Sequence, residues 1–102
     1  MPEATVASTW QRPVAAPESI PERADVVIVG GGIVGASTAW FLARQGVQVV
    51  LCEKGPIAGE QSGRNWGWVR VQGRDEREIP MMIEAFKTWD SFSKETGEDV
   101  GF

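Results

Sequence analysis

The chain contains no histidine, a single cysteine at Cys52, and no clustered run of positive charge. One thiol cannot close a disulfide within the chain. With no imidazole beside it, neither a zinc centre nor a Ser-His or Cys-His catalytic pair can be assembled. Lysine and arginine number 10 against 14 acidic residues, a net charge of −4. Binding to a phosphate backbone needs concentrated cations, so nucleic acid is excluded as a partner. No apolar stretch is long enough for a transmembrane helix. Residues 1–23 lack the basic start and apolar run of a secretory signal, so a cytoplasmic location is expected. Length is also short: 102 residues supply fewer strands than a doubly wound sheet requires, which makes the chain read as a piece of a larger body.

What is present begins at about residue 25. Before it, Pro2, Pro13, Pro17 and Pro21 forbid a regular element, and the stretch through Ala24 reads as an extended arm, either pinned to the surface of a larger body by Trp10, Val14 and Ile20 or a mobile terminus. From Val26 to Val29 the residues are continuously β-branched, the pattern of a strand buried on both faces of a parallel sheet. Residues from Ile33 to Gln45 are good helix formers without proline, and Gly46 stands where a helix C-terminal cap belongs. A second buried strand follows over Val47, Val49, Val50 and Leu51, ending at Cys52 and Glu53. Cys52 is expected as a small core residue within it. The sum is β-α-β. Gly55 to Gly73 reads as a long loop in which Val69 and Val71 form a short strand. Ile79, Met82, Ile83, Phe86, Trp89 and Phe92 then recur at helical spacing, giving a helix from about Pro80 to Thr96 closed by Gly97, with this stripe as its core face.

Gly30-Gly31-Gly32-Ile33-Val34-Gly35 matches the pattern G-x-G-x-x-G, and each glycine has its own physical job there. Gly30 permits the tight turn out of the strand. Gly32 lets backbone approach a pyrophosphate, and Gly35 lets the helix lie close to the strand. The helix N-terminus offers unpaired N–H groups and partial positive charge to the phosphates. Glu53, at the end of the second strand, can accept hydrogen bonds from both hydroxyls of an adenosine ribose and would repel a 2′-phosphate, which disfavours NADP. A strand before, a helix after, a second strand and an acid at its end supply the context a dinucleotide site requires. The motif alone leaves FAD and NAD open.

The run Glu53-Lys54-Gly55-Pro56-Ile57-Ala58-Gly59-Glu60-Gln61-Ser62-Gly63-Arg64-Asn65-Trp66-Gly67 resembles the D-amino-acid oxidase family of flavoproteins, which includes glycine and sarcosine oxidases and bacterial D-amino-acid dehydrogenases. The resemblance spans about Ala24 to Phe102. It implies an α/β fold: the N-terminal β-α-β part of a Rossmann-like FAD/NAD(P)-binding domain over residues 25–102, incomplete as given and preceded by the arm. It further implies that Gly30, Gly32 and Gly35 bind the pyrophosphate and Glu53 the ribose. Ser62, Arg64 and Asn65 would serve the phosphate and ribityl region, with Gly67 and Trp68 nearest the isoalloxazine ring. Ile33, Val34, Lys54 and Gln61 complete the implied cofactor-binding set. FAD is expected to be noncovalent, because relatives that attach it use His or Cys and this chain has no histidine. Trp66 and Trp68 can stack on flavin or substrate, or simply anchor their loop.

By the same resemblance the whole protein oxidises an amino acid or amine to the imine, with flavin as hydride acceptor. The substrate is expected to be bound mainly by residues outside this chain. No residue here stands out as a general base, and this segment alone is expected to be catalytically incompetent, completed by the remainder of the flavoprotein or another subunit. Two other readings stay open: a fragment of an NAD-linked dehydrogenase, and a non-catalytic nucleotide-binding subunit completed by another chain.

Overall fold

The structure, a computed structural model, describes residues 14–15 and 17–102. Trp10, one of the side chains expected to pin the N-terminal arm, lies outside the described residues. The other two, Val14 and Ile20, are 71% and 88% exposed. The chain divides into two compact units, one ending at Asn65 and one running from Trp66 to Phe102.

The first unit is the β-α-β element. Strand β1 covers Val26–Val29, helix α1 Ile33–Arg44 and strand β2 Val49–Cys52. The strands are parallel, with Val26 opposite Val49 and Val29 opposite Cys52. A hydrogen bond from Gly30 N–H to the Cys52 carbonyl (2.8 Å) carries the ladder one residue past β1. Asp25 fixes the other end: its N–H donates to the Gln48 carbonyl at 2.9 Å and its carboxylate accepts from Gln48 N–H at 2.8 Å.

Helix α1 ends where a left-handed residue is available. Gln45 is the cap and Gly46 follows at φ 81°. The Gly46 N–H then bonds the Ala43 carbonyl and the Val47 N–H bonds Leu42. This is a Schellman closure, which satisfies carbonyls that the helix end would otherwise leave unpaired. It also draws Val47 into the turn, so β2 starts at Val49 rather than at Val47 as expected.

The expectation that both strands are buried on two faces does not hold within this chain. In β1, Val26 and Ile28 are half-buried while Val27 and Val29 are 61% and 88% exposed. One helix can cover only one face of a sheet. α1 packs on the Ile28 side, and the side chains of Val27 and Val29 point to the opposite face. Cys52, opposite Val29 in the register and so on the face away from α1, is likewise exposed and not a core residue. No hydrophobic side chain among the described residues is fully buried.

The second unit is built on helix α2, Ile79–Thr96, with Pro80 in its first turn and Gly97 at φ 73° as its C-cap. A 3-10 turn at Glu76–Glu78 leads into it. Its cap is Asp75, whose carboxylate accepts from Arg77 N–H at 2.9 Å. The same carboxylate grips the Arg77 guanidinium bidentately, at 2.9 and 2.8 Å. Ile79, Met82, Phe86, Trp89 and Phe92 form the half-buried face of the helix, as their spacing required. Ile83 falls off this stripe and is 47% exposed. Phe102 folds back onto that face, with ring centroids 5.6 Å from Phe86 and 6.5 Å from Trp89. Residues Val69 and Val71 form no strand; they are half-buried in an irregular segment that ends in a turn at Gln72–Gly73. A strand has to pair, and the described residues offer these valines no partner strand.

Candidate functional site

The glycine turn between β1 and α1 is shaped by close approach of backbone to backbone. Gly30 sits at φ 108°, a conformation in which a Cβ would be strained. At Gly35 a Cβ would stand 1.8 Å from the Gly30 carbonyl oxygen, so only glycine lets α1 lie against the end of β1. Gly32 is the N-cap of α1 and has no side chain to cap with.

Two distant side chains close on this turn. The Glu53 carboxylate, one residue beyond β2, accepts from Gly31 N–H at 2.7 Å and from Gly55 N–H at 2.9 Å. These two donors hold its carboxyl below the ordinary value of 4.5, the Gly31 bond being the larger cause. A carboxylate offers about four acceptor positions, so acceptor capacity remains for further donors such as hydroxyls. Glu53 therefore faces the glycine turn as expected, although the amide it binds belongs to Gly31, the unspecified position of the motif.

Ser62 arrives from the loop after β2, inside a 3-10 turn at Gln61–Arg64. Its Oγ accepts from Ile33 N–H at 2.8 Å and lies 3.0 Å from the point where a Cβ on Gly32 would stand. The loop is tied down upstream by a bond from Ala58 N–H to the Gly31 carbonyl (2.9 Å), with Ala58 in the left-handed region at φ 58°. Ile57 covers Gly31, its Cδ1 2.6 Å from a Cβ built there. Gly63 is needed because a Cβ would meet the Ala58 carbonyl at 2.3 Å. Ile57, Ala58 and Gly31 were not identified from the sequence. An alanine in a left-handed conformation leaves no signature in composition or spacing.

Three first-turn amides stay open. Among the described residues, the N–H groups of Gly32, Val34 and Gly35 have no acceptor, while Ile33 N–H is taken by Ser62. Unpaired donors at a helix start, with its partial positive charge, favour an anion by about 0.3–1 kcal/mol at an exposed position. Ile33 and Val34 are 54% and 77% exposed. A diphosphate-bearing cofactor fits this cradle: glycine where approach must be close, open donors, and a carboxylate set to one side.

The cations expected nearby are otherwise engaged. Glu60 pairs with Lys54 at 3.1 Å and with Arg64 at 3.2 Å, on a surface where all three side chains are at least 61% exposed. Such pairs are worth about 0.2–1 kcal/mol, so neither cation is locked in place. Asn65 donates from its side chain to the Ser62 carbonyl. Gln61 opens the 3-10 turn and is exposed. The structure thus gathers Gly30, Gly32, Ile33, Val34, Gly35, Glu53 and Ser62 at one place. Lys54 and Arg64 are turned toward Glu60. Gly67 and Trp68 belong to the second unit, where Gly67 has φ 66° and the Arg70 guanidinium lies 5.3 Å from the Trp68 ring centre.

A parallel β-α-β unit with this turn and a carboxylate after the second strand defines a dinucleotide-binding α/β protein. The particular family follows from comparison with known proteins. The family model described as DAO, FAD dependent oxidoreductase, matches residues 25–102, and the chain belongs to that family. Similar proteins include an opine oxidase subunit of Rhizobium meliloti, 35% identical over 80 residues that make up 76% of this chain and 22% of that protein. D-amino acid dehydrogenase of Dechloromonas aromatica is 35% identical over 65 residues, 63% of this chain and 16% of its own. Among solved structures, L-amino acid deaminase from Proteus myxofaciens in complex with anthranilate aligns with a TM-score of 0.81 and 36% identity, over 86% of this chain and 20% of that one. This chain therefore spans about a fifth of the length of the relatives it matches. Of the two cofactors the glycine motif leaves open, FAD is the one on which the family depends. Among the described residues no helix is long and apolar enough to cross a membrane.

Proposed function

We propose that residues 25–102 are the N-terminal part of the FAD-binding domain of an oxidoreductase that converts an amino acid or related amine to its imine, the arm before them lying outside that domain. The observation that carries this reading is the set of open amides on Gly32, Val34 and Gly35, framed by Glu53 on one side and Ser62 on the other. FAD, when bound, supplies the hydride acceptor; this chain supplies attachment. Gly30, Gly32 and Gly35 clear the space, the open amides of Gly32, Val34 and Gly35 face the diphosphate while Ile33 N–H is held by Ser62, and Glu53 takes the ribose hydroxyls on its remaining acceptor positions. Ser62 donates its hydroxyl proton to the anion. Arg64, Lys54, Gln61 and Asn65 border the phosphate and ribityl region, with Arg64 and Lys54 leaving Glu60 to do so. Gly67 and Trp68 are assigned to the flavin end on the family resemblance.

The attachment is noncovalent in this reading, and substrate is bound mainly by residues beyond this chain. The relatives' names, an opine oxidase, a D-amino acid dehydrogenase and L-amino acid deaminases, support the substrate class. In the same reading the whole protein works in the cytoplasm. The test is to purify the full-length protein, record its flavin spectrum before and after acid precipitation, and add amino acids without oxygen. Release of free FAD and bleaching of the flavin band by an amino acid or amine are expected. A colourless protein that takes up NAD instead would overturn the assignment.

A further inference from the structure

Helix α1 starts without a cap of its own. Its N-cap is Gly32, which offers no side-chain acceptor, and no acidic residue stands in its first turn. A serine, threonine, aspartate or asparagine at that position ordinarily stabilises a helix, yet a side chain there would fill the space that a phosphate needs. The structure resolves this conflict with a residue 29 positions away: Ser62 Oγ accepts from Ile33 N–H at 2.8 Å.

We propose that Ser62 is a positioning residue that caps α1 from the loop after β2, so that the glycine turn and the segment 56–63 form one preassembled cradle before cofactor arrives. The proposal rests on the FAD-binding reading for the identity of the ligand and on the local geometry for the cap itself. A serine hydroxyl has one proton and two acceptor lone pairs. Because Ser62 Oγ accepts from Ile33, its own proton remains available to donate toward an anion beside the open amides of Gly32 and Val34. One hydroxyl thus serves the helix with its lone pair and the ligand with its proton. The loop reaches this position because three contacts over-determine it: Ala58 N–H on the Gly31 carbonyl, Ile57 over Gly31, and the absence of a side chain at Gly63, where a Cβ would strike the Ala58 carbonyl. The left-handed Ala58 is the backbone strain accepted to make that bend.

The experiment uses the full-length protein in wild-type form and as Ser62→Ala, Ser62→Thr and Ser62→Cys, each measured free of FAD and with FAD. Hydrogen exchange at the Ile33 amide reads the cap directly. In the cofactor-free protein Ser62→Ala speeds it about fivefold, the equivalent of a lost cap, and Ser62→Thr restores it. Displacement of FAD by ADP and by adenosine then reads the second role. Ser62→Ala weakens ADP about tenfold and leaves adenosine unchanged, since adenosine carries no phosphate.

Unchanged Ile33 exchange in cofactor-free Ser62→Ala overturns the cap. Equal weakening of ADP and adenosine overturns the phosphate-directed role and reduces Ser62 to general support. If Ser62→Ala does not fold, Ser62→Cys gives the same comparison with a weaker acceptor of similar size. A wild-type protein that binds no FAD defeats the function proposed above, while the Ile33 measurement still decides the cap.

Discussion

Replacement of Gly35 by alanine tests the tightest of the glycine positions. A methyl carbon there would lie 1.8 Å from the Gly30 carbonyl oxygen, 3.0 Å from its carbon and 3.3 Å from Ile28 Cγ2. Cβ atoms do not approach other heavy atoms closer than 3.0 Å, so α1 would have to retreat from β1 by more than about 1 Å. The obstacle is backbone and has no rotamer to yield. Overpacking usually costs about 1–3 kcal/mol, and an unyielding obstacle belongs at the upper end, about 3 kcal/mol or roughly a hundredfold in the folded-to-unfolded ratio. The displaced helix also carries its open amides away from Glu53 and Ser62, so flavin should be lost together with stability. Gly46→Ala is the control: at φ 81° with nothing within 4 Å, it meets backbone strain of about 1–2 kcal/mol and no collision. Both variants of the full-length protein are compared by thermal unfolding and by flavin bound per chain. Gly35→Ala should melt several degrees below Gly46→Ala and be purified nearly colourless. If it melts no lower and keeps its flavin, the helix does not lie against Gly30 as described, and the account of the glycine turn fails.

Glu53→Gln places an amide NH2 where one carboxylate oxygen now meets Gly31 or Gly55 N–H, setting donor against donor, and FAD affinity should fall. Since the folded-state carboxyl titrates below its ordinary value of 4.5, its stabilisation is complete above 4.5 and lost as pH falls through the lower, folded value. Wild type should therefore lose stability on acidification below 4.5 in a way that Glu53→Gln does not; identical acid unfolding curves would remove the Glu53 carboxylate from the glycine turn. At the start of the second unit, Asp75 is held at about 2, against an ordinary 3.8, first by the Arg77 side chain and then by its N–H. Its contribution is present above 3.8 and disappears as pH falls through about 2. A carboxyl carbon shift titrating near 2 in wild type and nearer 3.8 in Arg77→Gln is expected, and an unshifted midpoint in wild type would break the proposed pairing.

The sequence by itself determined the order and nature of the main elements, because each rests on local chemistry. The β-branched run at Val26–Val29, the glycine turn, the αL residues Gly46 and Gly97, and the helical spacing of Met82, Phe86 and Trp89 require no knowledge of distant residues. Glu53 was legible because it follows a strand at a fixed distance from the turn. Only the tertiary structure decided burial and partnership. Whether Val27, Val29 and Cys52 are covered depends on what stacks against the sheet, and the reach of one helix leaves them exposed here. That Val69 and Val71 form no strand reflects the lack of a pairing partner, which residue identity cannot reveal. The engagement of Arg64 with Glu60, the left-handed Ala58 and the capping of Ile33 by Ser62 all depend on how a loop folds back across space. A side chain's chemistry fixes which bonds it can make, and only the path of the backbone selects the one it does make.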